Sequence, residues 1–272
     1  MVTTAVNPEL ELVDGLKTTT RIVLIVEYNG AGYHGFQLQA GLPTIQGAIE
    51  EALEKLTGER VRVMAAGRTD AGVHALGQVV SFRSGPSHSL QTFVNGLNYY
   101  LPGDIAVKAA HRVKDSFSVR RHAVSREYHY YILNSLTRSP LREGFAYRLT
   151  GHLDIEAMNQ VSQSLIGEHD FASFASSIEV ELKSTLRRVY LAEMSQNGEM
   201  IVFKIVANSF LPHQVRNTVG ALIRVGSGKM SNNEFCSIMA MKQPGLAGPT
   251  APACGLCLMQ VNYQYPFEDG KC

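Results

Sequence analysis

The order of elements in this sequence predicts an α+β protein made of two ferredoxin-like halves, with largely antiparallel sheets and a cleft between the halves. Three observations carry that prediction. Strand, helix, strand, strand, helix, strand can be read in order between residues 21 and 113. A similar alternation runs from residue 126 to 263. The chain has 272 residues and 45% hydrophobic content, enough for two units that each bury a core. The expected organisation is a polar, mobile extension over 1–20, an N-terminal subdomain over 21–115 and a C-terminal subdomain over 116–272.

The first strand is RIVLIVEY, residues 21 to 28, β-branched and continuous as a buried strand should be. Pro43 then opens a helix in which Ile45, Ile49, Leu53 and Leu56 recur at helical spacing, and Gly58 stops it. VRVMAA (61 to 66) alternates as a strand, and QVVSFR (78 to 83) resumes strand character after a loop. Leu90, Phe93, Val94 and Leu97 form the stripe of a second helix from Ser89 to Tyr100, halted by Pro102-Gly103. DIAVKAAHRV (104 to 113) closes the first half as a strand.

REYHYYIL (126 to 133) opens the second half, with Tyr128 and Tyr130 on one face. A helix capped by Asp154 extends to about Ile166, strands fall near 184–195 and 200–209, and Pro212 fits the first turn of a helix running through QVRNTVGALIRV. Another helix starts near Asn232, and GLCLMQVNY (255 to 263) is the last strand.

Between the strands at 61–66 and 78–83 lies an unusual loop. In AAGRTDAGVHALGQ, residues 65 to 78, seven of the fourteen are Ala or Gly, and Arg68 and Asp70 are the only charged side chains. Loops held by strands display functional groups, and small neighbours let a flat ring approach a carboxylate closely. The competing reading is a tight turn in which Thr-Asp-Ala-Gly satisfies its own hydrogen bonds. Spacing alone names no reaction.

Composition narrows the function classes. A net charge of +1 argues against a protein that coats nucleic acid. The charge is uneven, however: nine Lys/Arg and three acids lie between Lys108 and Arg148, with Tyr128, Tyr130, Tyr131 and Tyr147 among them. Such a stretch either grips phosphates and stacks bases or forms a solvated face. Four cysteines do not make a disulfide scaffold, and neither a signal peptide nor an apolar membrane span is legible, so a cytoplasmic protein is expected. Asp70, His74 and His34, or Cys254 and Cys257, could suggest a metal, but the C-x-x-C pair has no second pair to complete a zinc site.

Several ordered segments resemble one family. AAGRTDAGVHALGQVVSF (65 to 82) resembles the signature AGRTDAGVHAxGQVxxF of the tRNA pseudouridine synthase A family. VEYNGAGYHGFQLQ (26 to 39), LPGDIAV (101 to 107), FSVRRHAVSREYHYYI (117 to 132), NSFLPHQVRNTVG (208 to 220) and APACGLCL (251 to 258) resemble its other segments in the same order. The resemblance spans roughly residues 21 to 265. It implies a pseudouridine-synthase fold and an isomerase that converts uridines 38, 39 and 40 in the anticodon stem-loop of tRNAs to pseudouridine, without cofactor or metal, as a homodimer.

The resemblance also assigns roles. Asp70 matches the essential aspartate, acting as nucleophile or base at the target nucleotide. Arg68 matches an arginine that occupies the space vacated by the flipped base, and a solvent-facing charge is its bland alternative. Tyr128 matches a tyrosine that packs on the uracil and is placed to help remove the C5 proton; otherwise it is a core tyrosine. Arg216 matches an arginine that pairs with the catalytic aspartate and would hold that carboxylate in aim; otherwise it lies on the polar face of its helix. Flipping a uridine out of a stem-loop costs about a few kcal/mol, which phosphate contacts and stacking must supply. The bare loop leaves room for the flipped ring. Phe36 stands where the family commonly has Trp, Ser118-Val119 where it has His-Ala, and Pro212 and Gln214 flank His213 where aromatic or Met residues are usual. A non-catalytic α+β RNA-binding module is the rival reading of the same basic window.

Overall fold

A computed structural model of the chain describes residues 20–85, 88–176, 184–265 and 267. The extension expected at the N-terminus lies outside the described residues, apart from Thr20. Ten strands and five α-helices are described: β1 (Thr20–Tyr28), α1 (Ile45–Thr57), β2 (Met64–Ala65), β3 (His74–Ser84), α2 (Leu90–Tyr100), β4 (Ile105–Val113), β5 (Ala123–Asn134), β6 (Tyr147–Leu149), α3 (Ile155–Gln163), β7 (Gly167–Asp170), β8 (Leu186–Asn197), β9 (Met200–Ala207), α4 (Gln214–Gly226), α5 (Asn232–Met241) and β10 (Leu256–Tyr263). The mixed, largely antiparallel α+β class expected from the sequence is what the chain adopts.

The two sets of strands share one sheet. Its order is β4-β1-β3-β10-β5-β9-β8-β7, with β2 beside β3 and β6 beside β5. β10, the last strand in sequence, lies between the halves: it pairs antiparallel with β5 and runs parallel to β3 through Cys257 opposite His74 and Leu258 opposite Ala75. β5 with β6 is the other parallel pair, and the remaining pairings are antiparallel. Ile49 and Leu53 of α1 and Phe93 and Leu97 of α2 join Ile22, Leu24 and Phe82 in the core. Met158 of α3 and Val219 and Leu222 of α4 join Phe203 and Ile205 in the same cluster. One apolar core therefore runs beneath both sets of helices.

Helix boundaries follow capping chemistry. Pro43 lies outside α1, because the Thr44 side chain accepts from the Gly47 amide (3.2 Å) and so sets the N-cap one residue later. Gly58 ends α1 in the left-handed conformation, as the sequence suggests. Asp154 caps α3 through the Ala157 amide at 2.9 Å, and Ser231 with Glu234 forms a capping box on α5. Pro212 also falls outside its helix: α4 starts at Gln214, and His213 is the N-cap with φ +59°. The strand expected over 61–66 shrinks to Met64–Ala65, since the Val63 amide donates to Glu50 Oε1 (3.0 Å) rather than to a neighbouring strand. β6 and β7 are too short for a periodic pattern to announce them.

Candidate active site

The loop between β2 and β3 is tied down from several directions. The Phe36 amide donates to the Thr69 carbonyl (3.0 Å), the Gly72 amide to the Tyr33 carbonyl (3.2 Å), and the Val73 amide to the Asp70 carbonyl (3.2 Å). Beneath it, the Tyr28 hydroxyl and Thr69 Oγ1 lie 2.8 Å apart, and Gln78 Nε2 donates to both the Tyr28 hydroxyl (3.3 Å) and the Gly67 carbonyl (2.9 Å). Gly35 packs against the loop's main chain at φ +87°, where a Cβ would stand 2.8 Å from the Thr69 oxygen. These bonds join the small-residue loop to the VEYNGAGYHGFQ segment that precedes it in sequence. The anchored loop carries two charged side chains, the half-buried Asp70 carboxylate and the exposed Arg68.

The carboxylate meets α4. Arg216 Nη1 donates to Asp70 Oδ2 at 3.1 Å across 146 residues of chain. His213 Nε2 lies 3.6 Å from the same oxygen. The Asp70 side chain is 28% exposed and that of Arg216 is 16% exposed, so the pair is sheltered yet reachable. Arg216 is itself aimed by its Nε, which donates to the Ala251 carbonyl at 2.9 Å. That carbonyl can approach because Gly220, one turn along α4, has no Cβ to collide with the Pro249 carbonyl.

Tyr128 of β5 lines the same cleft, 8% exposed, with its ring edge-on to Phe210 at a centroid distance of 5.2 Å. Burial, then the neighbouring Tyr28 and Asp70, pushes its phenol well above the ordinary tyrosine range, so it is a neutral hydroxyl at working pH. Tyr130, on the same strand face, is wholly buried and donates to the Pro252 carbonyl (2.8 Å).

Asp70, Tyr128, Arg216 and Arg68 thus border one cleft of about 1520 Å³, near where β3, β10 and β5 meet. Arg68 is exposed at its edge. Six arginines (Arg62, Arg68, Arg120, Arg126, Arg187, Arg216) line the cleft, and Asp70 is the sole acid among the described lining residues. Those arginines give the cleft a positive potential that attracts phosphate.

The basic window divides rather than forming one face. Lys108 pairs with Glu27 (3.0 Å), Arg120 reaches the cleft, and Arg126 turns inward. Arg126 donates to the carbonyls of Asn208 (2.7 Å), Ala66 (2.8 Å), Arg120 (3.0 Å) and Ala123 (3.3 Å), bolting together the chain around the site. Neither Arg126 nor His213 stands out in the sequence as a site residue. Their one signal in the sequence is their place inside segments that resemble those of one family.

As for metal chemistry, His74 accepts from the Gly30 amide at Nδ1 (3.2 Å), and its Nε2 bonds the Gly144 carbonyl (2.9 Å). Among the described residues no three of His, Cys, Asp and Glu are grouped to hold an ion. No described helix is long and apolar enough to cross a membrane.

The chain as a whole is similar to known proteins. A family model described as tRNA pseudouridine synthase matches residues 24–120 and 161–264. The tRNA pseudouridine synthase A of Legionella pneumophila (strain Corby) is 42% identical over 247 residues, covering 91% of this chain and 94% of the relative. That of Geotalea daltonii is 42% identical over 242 residues, covering 89% and 99%. Among solved structures, the archaeal box H/ACA sRNP Nop10–Cbf5 complex overlaps 75% of this chain and 44% of its own, with a TM-score of 0.38 and 11% identity, too distant a likeness to add weight.

Proposed function

The chain belongs to the tRNA pseudouridine synthase A family of isomerases, and from that premise we propose that it converts uridines 38, 39 and 40 of the tRNA anticodon stem-loop to pseudouridine, without a cofactor. The observation that carries this reading is the Asp70 carboxylate, held by Arg216 in a cleft whose other charged lining residues are arginines. The exposed members of that set, Arg62, Arg68 and Arg120, take up tRNA phosphates and so offset the cost of unstacking the target nucleotide. Tyr128 and Phe210 offer aromatic surface to the flipped uracil.

In the reaction the N1–C1′ bond breaks and the uracil turns. C5 then bonds to C1′, the C5 proton leaves and N1 takes one up. Atoms balance within the nucleotide, so no oxidant, reductant or second substrate is needed. Asp70 serves as the nucleophile or base at the flipped nucleotide, and Arg216 aims it. Arg68 at the cleft edge fills the gap left in the stem-loop. Tyr128 packs on the uracil and helps remove the C5 proton. We further propose that the enzyme works in the cytoplasm as a homodimer, with residues 21–115 and 116–272 as subdomains on either side of the cleft.

The test uses unmodified tRNA transcripts carrying tritium at uracil C5. Wild type should release tritium, and Asp70→Asn should release none above background. Tight tRNA binding by both proteins with release by neither would support a non-catalytic RNA-binding module instead.

A further inference from the structure

We infer that His213 is a second positioning residue for Asp70, acting with Arg216 on carboxylate oxygen Oδ2 so that Oδ1 stays turned toward the substrate. The inference rests on the reading of Asp70 given above. Three observations point to it.

The first is geometric. His213 Nε2 is 3.6 Å from Asp70 Oδ2, the oxygen that already accepts from Arg216 at 3.1 Å. No described residue donates to Oδ1. A contact slightly longer than a hydrogen bond is expected without substrate, since catalytic bonds tighten once the reacting group is bound.

The second is the backbone. His213 has φ +59°, one of two described non-glycine residues with positive φ. For a residue with a Cβ this conformation is strained relative to the right-handed region. Retained strain of this kind gathers at functional sites.

The third is a capping role left unused. His213 occupies the N-cap of α4, where Ser, Thr, Asp or Asn would bond the first-turn amides, yet its side chain makes no capping bond. Its ring, 40% exposed, turns to the cleft instead. An N-cap that gives up its capping bond in a strained conformation, and faces a carboxylate, is arranged for that carboxylate.

Arg216 alone leaves the carboxylate free to rotate about one anchored oxygen. A second donor on that oxygen, from a different direction, restricts the rotation and keeps Oδ1 in place. Losing such a donor lowers the rate of the chemical step while leaving tRNA affinity intact.

Single-turnover kinetics on tritiated tRNA, with thermal melts to confirm folding, test this in three variants. His213→Ala should lower the maximal rate by roughly 10- to 100-fold, the effect of one hydrogen bond to a charged group, with an unchanged half-saturating tRNA concentration. His213→Gln restores a donor of similar reach and should recover part of that rate. His213→Asn tolerates positive φ well, but its amide stops short of Asp70, so it should stay as slow as His213→Ala. A wild-type rate in His213→Asn would make the residue a backbone device and overturn the inference. So would a loss confined to half-saturation, an equal loss in His213→Gln, or an unchanged rate in His213→Ala. Each of these outcomes presupposes tritium release by wild type, so failure of the inference is distinct from failure of the proposed function.

Discussion

Two loops leave the central part of the sheet, and they are built in opposite ways. The loop from Ala66 to Val73 is short, rich in Ala and Gly, and anchored by main-chain bonds to residues 33 and 36 and by a buried side-chain cluster of Tyr28, Thr69 and Gln78. The loop from Ser135 to Ala146 is longer and carries large apolar groups into solvent, with Leu141 95% exposed. Its main-chain bonds are the local turns Arg142 to Ser139 and Phe145 to Arg142 and, at its root, the Ser135 amide to the Leu149 carbonyl (3.0 Å), and His74 ties it to the sheet through the Gly144 carbonyl. The difference teaches where rigidity is needed. A carboxylate that must meet one atom of a flipped nucleotide is mounted on an over-determined support, whereas the outer loop is free of that demand.

The sharpest way to break the contrast is to place the same substitution in both loops' supports. Gly35→Ala combines a positive φ with a Cβ 2.8 Å from the Thr69 oxygen. It should cost about 2–4 kcal/mol in denaturant unfolding and slow tritium release even in the folded fraction. Tyr28→Phe removes the hydroxyl shared by Thr69 and Gln78 and should cost about 1–3 kcal/mol, measured the same way, with reduced turnover. Burial pushes that hydroxyl up to about 12, so it serves as a neutral partner across the working pH range.

Gly144→Ala is the counterpart in the outer loop. Its φ is +80°, but a Cβ there meets open space, so a loss of about 1 kcal/mol with wild-type turnover is expected. If Gly35→Ala behaves like Gly144→Ala, the claim of an over-determined support fails.

The smallest effect is pH-dependent. Burial holds the His74 imidazole below its ordinary range, outweighing the carbonyl bonds that pull the other way. As pH falls, the unfolded chain therefore takes up this proton before the folded one does. The stability from His74 is fully present above the ordinary imidazole range and is lost as pH drops through and below it. The melting-temperature gap between wild type and His74→Gln should accordingly be wider at about pH 8 than at about pH 5.5. An unchanged gap would show that burial does not hold His74 below its ordinary range.

Much of the architecture is legible because it is local. α1 and α2 follow stripes of Ile, Leu and Phe, and Asp154 and Gly58 mark helix ends by side-chain and backbone chemistry that acts within a turn. Pro43 and Pro212 mislead by one or two residues for the same reason. Proline favours a helix start, but Thr44 bonds an amide of its own helix and His213 takes the N-cap one residue after Pro212. The basic window misleads differently, since composition cannot say which way a side chain turns. Arg126 reads as a surface cation, yet four carbonyls draw it inward.

By itself the sequence determined the class of fold, most of the helices and strands, and a bare loop displaying Asp70, all of which depend on periodicity and side-chain size over a few residues. Only the tertiary structure decided that β10 joins both sets of strands into one sheet, that Arg216 reaches Asp70 across 146 residues, and that His213 turns to the same oxygen. Those meetings come from long-range strand pairing and a shared core, whose partners no local pattern names.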